Sequence, residues 1–444
     1  MLLRSVFGFG LACSLMFAGA GCDPGETTGE GGGGSSGGSG GGGEGGSVSA
    51  GGSAKPMCTN PDPPTGPTPD PRADSAGALR ADGSAFLLFG GDVATVICGQ
   101  QPAREHVSDT WLLDTKCGGW TKLEIAGPSA RARHAMALDA VSGKAVLFGG
   151  RYRMGSSGAY TNYNDVWTFD FATQTWTELA VTGTGPSARS NTAAAVVNGK
   201  FIVFGGNTST SGLSFTPKKD VFALDLATNT WTEITPANAG PPARLFHAMA
   251  AHPTKNVVYI FSGGDENAFT GPFLTDTWAF DLDTATWTKL ASDTPDGTGR
   301  IKLGMWATVP DGATDPKLYV FGGHDDGTLG NRNDVLSGPV GASIAYENTL
   351  LGDVYTSPST GQCDFPVDFT TIDPNSPERR SAFAVGQLPD GSAAVVFGGD
   401  SDCGRLSDAA WFDTRTNGWT PIRSTLPGLV CLRTGSTTCT SLCN

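Results

Sequence analysis

The chain has no surplus of positive charge. Its 29 Lys and Arg are outnumbered by 43 Asp and Glu in 444 residues, giving a formal net charge of −14. No basic stripe exists to neutralise phosphates, so nucleic acid is not expected as a partner. The acidity fits the solubility of an exported protein. Histidine is scarce, at five copies. There is no HExxH, no P-loop and no dinucleotide glycine fingerprint. Gly-x-Ser-x-Gly spellings fall in a low-complexity stretch that cannot form a nucleophile elbow. Cys-x-x-Cys is missing too, the nearest approach being Cys439 and Cys443. The oxygen-rich run from His324 to Asp334 lacks the EF-hand spacing. No catalytic residue, cofactor or metal site is therefore expected.

What the chain does have is a unit that recurs six times. Each copy holds an Arg-led segment, an apolar run closed by a Gly pair, an Asp-led apolar strand, and an aromatic strand of the form W-T-x-[LI]. The Gly pairs are Gly90–Gly91, Gly149–Gly150, Gly205–Gly206, Gly263–Gly264, Gly322–Gly323 and Gly398–Gly399. Asp109, Asp165, Asp220, Asp276 and Asp408 precede Trp120, Trp176, Trp231, Trp287 and Trp419 at one constant spacing. The fifth copy deviates: Asp353 precedes Phe369 at a longer spacing, and Phe369–Ile372 stands in for the Trp strand. Short strands repeating at this period predict a propeller of four-stranded blades, A to D. Only a short tail, 424–444, follows Arg423, without Gly pair or Trp, so the ring is expected to close at six blades.

The Gly doublet, Asn164–Trp167, the turn Asp170–Thr173 and Trp176 carry a resemblance to the kelch family. The resemblance covers roughly residues 70–423. It implies an all-β, six-bladed kelch-type β-propeller with strand A innermost. Phe222 replaces the first Trp in copy three. The domain is expected over 58–423, with blades at about 70–125, 126–182, 183–238, 239–294, 295–374 and 375–423, and a Cys-containing tail over 424–444.

Residues 1–21 read as a signal peptide: Arg4, then an apolar stretch rich in small residues. Gly19–Cys22 resembles a lipobox, which would lipidate Cys22; plain cleavage after Ala20 is the alternative. Residues 22–57 are mostly Gly, Ser and Glu, a disordered tether that cannot bury a core. The expected location is the bacterial cell envelope, lipid-anchored, or outside the cell. Contact with the membrane would be through the N-terminal lipid only, and the protein is expected to be a monomer. The remaining cysteines suggest disulfides in an exported chain. Cys98 and Cys403 both lie in B–C loops, of blades that closure makes neighbours, so a Cys98–Cys403 staple is expected. Cys58 is expected to reach one of the tail cysteines.

Strand parity places D–A and B–C connections on one face. Counted between the second Gly and the Asp, the B–C loops run over 92–108, 151–164, 207–219, 265–275, 324–352 and 400–407, so their lengths differ widely. Length variation on one face marks a binding surface. That face gathers Arg72, Arg131, Arg189, Arg244, Arg300 and Arg380, and the loop aromatics Tyr152, Tyr160, Tyr163, Phe215, Phe269, Phe273 and Tyr346. Some kelch domains bind acidic peptides through arginines entering strand A, and the resemblance extends that role to these six. The other reading is that each Arg pairs with a loop Asp or carbonyl and fixes a turn. Tyr152, Tyr160 and Tyr163 suit peptide or glycan contact, or packing of the loop. The functional expectation is an envelope-tethered binding module for protein, peptide or glycan ligands. A carbohydrate-active enzyme of kelch type, similar to sialic-acid mutarotases or galactose oxidases, is the alternative.

Overall fold

Six four-stranded antiparallel blades follow one another along the chain, each in the order A-B-C-D, and Thr182–Gly183 adds a fifth, parallel strand beside strand D of blade 3. This computed structural model describes residues 55–59, 64–95, 103–268, 270–291, 294–295, 297–325, 330–355, 369–371, 373–401 and 404–425. The A strands are Ala76–Leu79, Ala135–Asp139, Ala193–Val197, Ala248–Ala251, Gly304–Thr308 and Ala384–Gln387. They are rich in Ala and Gly because six of them converge on the axis. At the join between blades 6 and 1, a Cβ on Gly386 would stand 2.5 Å from the backbone nitrogen of Leu79. The B strands, such as Lys144–Phe148 and Lys200–Phe204, are buried on both faces and read as unbroken apolar runs.

Each D-strand aromatic packs against the Phe that ends strand B of the preceding blade. Trp176 meets Phe89, Trp231 meets Phe148 and Trp287 meets Phe204, at 5.2, 5.7 and 5.1 Å between ring centroids. Trp419 meets Phe321 at 4.6 Å, and Trp120 closes the circle on Phe397 at 4.9 Å. Blade 5 uses Tyr346, 5.1 Å from Phe261. Its C strand is Val335–Pro339 and its D strand Glu347–Leu350.

The fifth copy thus corrects the sequence reading. Asp334, not Asp353, leads its C strand, and the B–C loop spans 324–333 rather than 324–352. The excess chain lies after strand D, where Val354–Tyr355 and Phe369–Thr371 pair as a separate hairpin. Tyr346 is therefore a blade-packing residue, not a loop aromatic. The missing W-T-x-[LI] motif hid it.

The ring closes without sharing a strand between first and last blades. Two circles of backbone hydrogen bonds run through all six blades instead. In the outer one, the second Gly of each doublet (first Gly in blade 4) donates to the carbonyl of the next blade's leading Arg. Those distances are 2.8–2.9 Å, from Gly91 to Arg131 round to Gly399 and Arg72. The inner circle joins Asp74, Arg133, Asn191, Phe246, Lys302 and Ala382, each N–H donating to the preceding carbonyl at 2.7–3.1 Å. All six have φ between 56° and 60°, a left-handed conformation that non-glycine residues adopt at a cost. The closed circle of bonds holds them there.

Arg405 adds a clasp across the seam. It donates to the carbonyls of Asp92 and Ala94 and to the Asp92 carboxylate, at 2.7, 2.5 and 3.1 Å. The Cys98–Cys403 staple falls on residues outside the described set. Cys58 is bonded to Cys117 in the C–D turn of blade 1, Cα atoms 4.8 Å apart, and so does not reach the tail. The segment behind Cys58 runs towards the same seam: Arg423 of blade 6 donates to the Pro64 carbonyl at 3.4 Å.

His134 and His247 sit at the same repeat position, under the first Gly of the preceding doublet: Gly90 and Gly205. Phe383 takes that place in blade 6, under Gly322. Burial first, then the neighbouring Arg131 or Arg244, drives both imidazole pKa values down to about 3. Unfolding restores an ordinary value near 6.5. The unfolded chain therefore binds more protons between those limits, and stability is complete above about pH 6.5 and lost as pH falls. We expect a loss of up to roughly 1.4 kcal/mol per pH unit per histidine between pH 6 and 4.5. Denaturant melts across that range should show it, and H247F should take one histidine's share out of the slope, leaving those of His134, His106 and His252. A flat profile would contradict the assignment.

Candidate ligand-binding face

The six strand-A arginines do not line an open mouth. Arg72, Arg131, Arg189, Arg244, Arg300 and Arg380 are at most 1 % exposed. Each forms a two-pronged ion pair with the Asp that leads strand C of its own blade: Asp109, Asp165, Asp220, Asp276, Asp334 and Asp408. The distances run from 2.5 to 3.1 Å. Each guanidinium also donates to the carbonyl at the end of strand B, as Arg131 does to Gly149 at 3.0 Å. Burial opposes ionisation of Asp109, Asp165 and Asp276, but the hydrogen bonds and charge of their arginines outweigh it and hold the carboxyls low. The six pairs fix the B–C connections, which is the turn-fixing role that the sequence left open beside ligand contact. Asp353 instead lies 3.8 Å from Arg379.

The aromatics divide. Phe215 and Phe273 are buried with Leu245, Phe246, Ala268 and Ile301, packing the loops of blades 3 to 5 together. Phe269 lies outside the described residues. Tyr163 covers Arg131 at 4.2 Å. Tyr152 is half-buried, edge-on to His106 at 6.0 Å. Tyr160 is buried, with Arg151 and Arg153 over its ring at 3.7 and 4.3 Å. So Tyr152, Tyr160 and Tyr163 do sit on the predicted face, and of the three only Tyr152 and Tyr163 are part-exposed.

The B–C loops of blades 1, 2 and 3 are tied to one another. Arg104–Glu105 pairs with Met154–Gly155. The Tyr160 N–H donates to Thr210 at 2.8 Å, and Asn162 to Thr208 and Ser209. Met154 and Leu213 remain 61 % and 87 % exposed on this surface. Beside it the channel mouth is a cavity of about 180 Å³ lined by Asp74, Arg133, Asn191, Phe246 and Lys302 among others. Asp74 is taken by Arg133 at 2.7 Å. Lys302 lies 5.4 Å from the Phe246 ring, and burial lowers its pKa. Arg104, Arg133, Arg151, Lys302 and Arg405 interact here with Asp74, Asp92 and Asp400. Five cations against three carboxylates make a basic spot on an acidic protein. His106 has its pKa pushed down to about 4 by burial, so it is neutral at pH 7. Its Nδ1 accepts from the Arg153 N–H at 3.1 Å.

Sequence reasoning missed Arg104, Arg133, Arg151 and Lys302. Arg133 and Lys302 occupy one repeat position, two after the leading Arg, whose other occupants are Asp74, Asn191, Phe246 and Ala382. That variability in an otherwise regular repeat was the available signal.

A family model for the KLHDC2/KLHL20/DRC7 Kelch-repeats domain matches residues 55–255. The N-(sulfonatooxy)prop-2-enimidothioate sulfolyase of Thlaspi arvense is 30% identical over 294 residues, covering 64% of this chain and 75% of that protein. The chain belongs to the kelch-repeat family. Kelch domain-containing protein 10 of Homo sapiens is 28% identical over 187 residues, 41% of this chain and 40% of that protein. The solved structure of YjhT superposes with a TM-score of 0.52 at 16% identity, over 80% of this chain and 98% of YjhT. The likeness to YjhT is one of fold. The kelch propeller therefore has its frame in common with these proteins.

Proposed function

We propose that this kelch propeller is a binding module, and that the B–C loop face of blades 1 to 3 takes a protein, peptide or glycan ligand. The observation that carries the reading is the joined loop surface, which presents exposed Met154 and Leu213 beside a cluster of cations. Apolar side chains exposed next to polar groups are the usual composition of a recognition site. The N-terminal sequence supports display at the bacterial envelope, through a lipid on Cys22 and a glycine-rich tether.

The full chain should be screened against glycan and peptide arrays. M154E/L213E should weaken the captured ligand at least about tenfold, while the melting temperature changes by no more than a degree or two, as for other surface substitutions. Undiminished binding by the double variant would overturn the reading. An enzymatic reading draws on the sulfolyase relative. It needs an acid or base at the channel mouth, and Asp74 there is held ionised by Arg133, with Lys302 and Arg151 nearby. That favours binding over proton transfer.

A further inference from the structure

Lys302 stands in the channel mouth without a partner of its own. It follows Arg300 of blade 5 by two positions and holds a left-handed backbone, φ 57°, in the inner circle of hydrogen bonds. Ala382 does the same backbone work in blade 6 with a single methyl group, so the ring requires no amine there. The Lys302 side chain is part-buried and lines the cavity of about 180 Å³ together with Phe246, Leu303, Met305 and Phe383. Among the described residues its Nζ makes no hydrogen bond and no ion pair, and it lies 5.4 Å from the centroid of the Phe246 ring.

Two carboxylates lie within electrostatic reach of this amine, and both are already engaged. Asp74 is held by Arg133 at 2.7 Å and Asp400 by Arg405 at 3.2 Å. Arg133 and Arg104 face Lys302 as like charges. His324, on the B–C loop of the same blade, is neutral at pH 7 because burial lowers its pKa. Burial is the largest influence on Lys302 and lowers its pKa, with the two arginines acting in the same direction against the pull of Asp74 and Asp400. An amine desolvated beside other cations carries more free base at neutral pH than an exposed lysine, and the free base is the nucleophile.

We propose that Lys302 is a covalent capture site for a small aldehyde or ketone with a flat apolar body. Its Nζ attacks the carbonyl carbon and an N–C bond forms. The carbonyl oxygen then leaves as water with the two amine hydrogens, and a neutral imine remains, with no change of oxidation state. A neutral product suits a place where an ammonium has no counterion. Phe246, Leu303 and Met305 supply the apolar wall against which the body of the ligand packs. The step is capture without turnover. It goes beyond the reading of the loop surface and does not depend on it, because Met154 and Leu213 lie outside this cavity.

Benzaldehyde with cyanoborohydride is the probe, because the reductant turns the imine into a stable secondary amine that peptide mass mapping locates in the full chain. At about pH 7.5, Lys302 should be labelled at least about fivefold faster than the exposed Lys200 and Lys219. K302M should lose the label at that one site and melt within about two degrees of the parent. R133M frees Asp74 to pair with Lys302 and restore its ammonium, so labelling of Lys302 should fall to the rate of Lys200 or below. Mere openness of the channel would leave that rate unchanged or raise it. Equal labelling of Lys302 and the exposed lysines, or undiminished labelling in R133M, would overturn the proposal. Should R133M fold poorly, the pH profile of the parent decides: Lys302 must reach its labelling plateau at a lower pH than Lys200, and a shared plateau overturns the proposal.

Discussion

R244A lowers the stability of the propeller by about 3–5 kcal/mol, because it leaves Asp276 as a buried charge without its partner. Asp276 is 8 % exposed, and Arg244 holds both its oxygens, at 2.7 and 3.1 Å. The same guanidinium also donates to the Ser262 carbonyl at 2.9 Å, so its loss strips a second acceptor. For a domain of this size the melting temperature should drop by roughly 4–6 °C. R300A should behave alike, since the Asp334 side chain is 5 % exposed. The double variant R244A/D276A should recover much of the loss, because neither charge is then left alone. A melting temperature within two degrees of the parent for R244A would show that these pairs are dispensable. Exposed ion pairs contribute only about 0–1 kcal/mol, so burial decides which outcome is expected.

Breaking the Cys58–Cys117 bond is the second large effect. The bond closes a loop of sequence separation 59, for which the chain-entropy model gives about 4 kcal/mol. The stabilisation falls at one place. Cys117 is in the C–D turn of blade 1, and Pro64, between the two cysteines, accepts from Arg423 of blade 6. C58S/C117S should therefore melt about 5 °C lower, and limited proteolysis should first open the chain around residues 58–70. Unchanged melting, or first cleavage in blades 2 to 5, would contradict a seam held by this strap.

The fold was legible because the repeat states each local choice six times. One Gly doublet is a weak signal, but six in register, five of them followed by an Asp and a Trp at constant spacing, leave little besides a propeller. The fifth blade was misread for a definable reason. Tyr346, just ahead of its D strand, stands in place of Trp, so the next Asp and Phe with plausible spacing, Asp353 and Phe369, were taken instead. The fate of the arginines was not legible. An Arg entering strand A and an Asp entering strand C are far apart in sequence, and only the structure shows the carboxylate within 3.1 Å.

The central claim is a division of labour, in which the repeat arginines hold the blades and the joined loops of blades 1 to 3 receive the ligand. Thermal melts and array binding of R244A and M154E/L213E, measured side by side, test it most directly. R244A should melt well below the parent and, held below its own melting point, still capture the array ligand. M154E/L213E should melt within a degree or two of the parent and bind at least about tenfold more weakly. The reverse pattern, with R244A stable but unable to bind and M154E/L213E unstable but still binding, would contradict it.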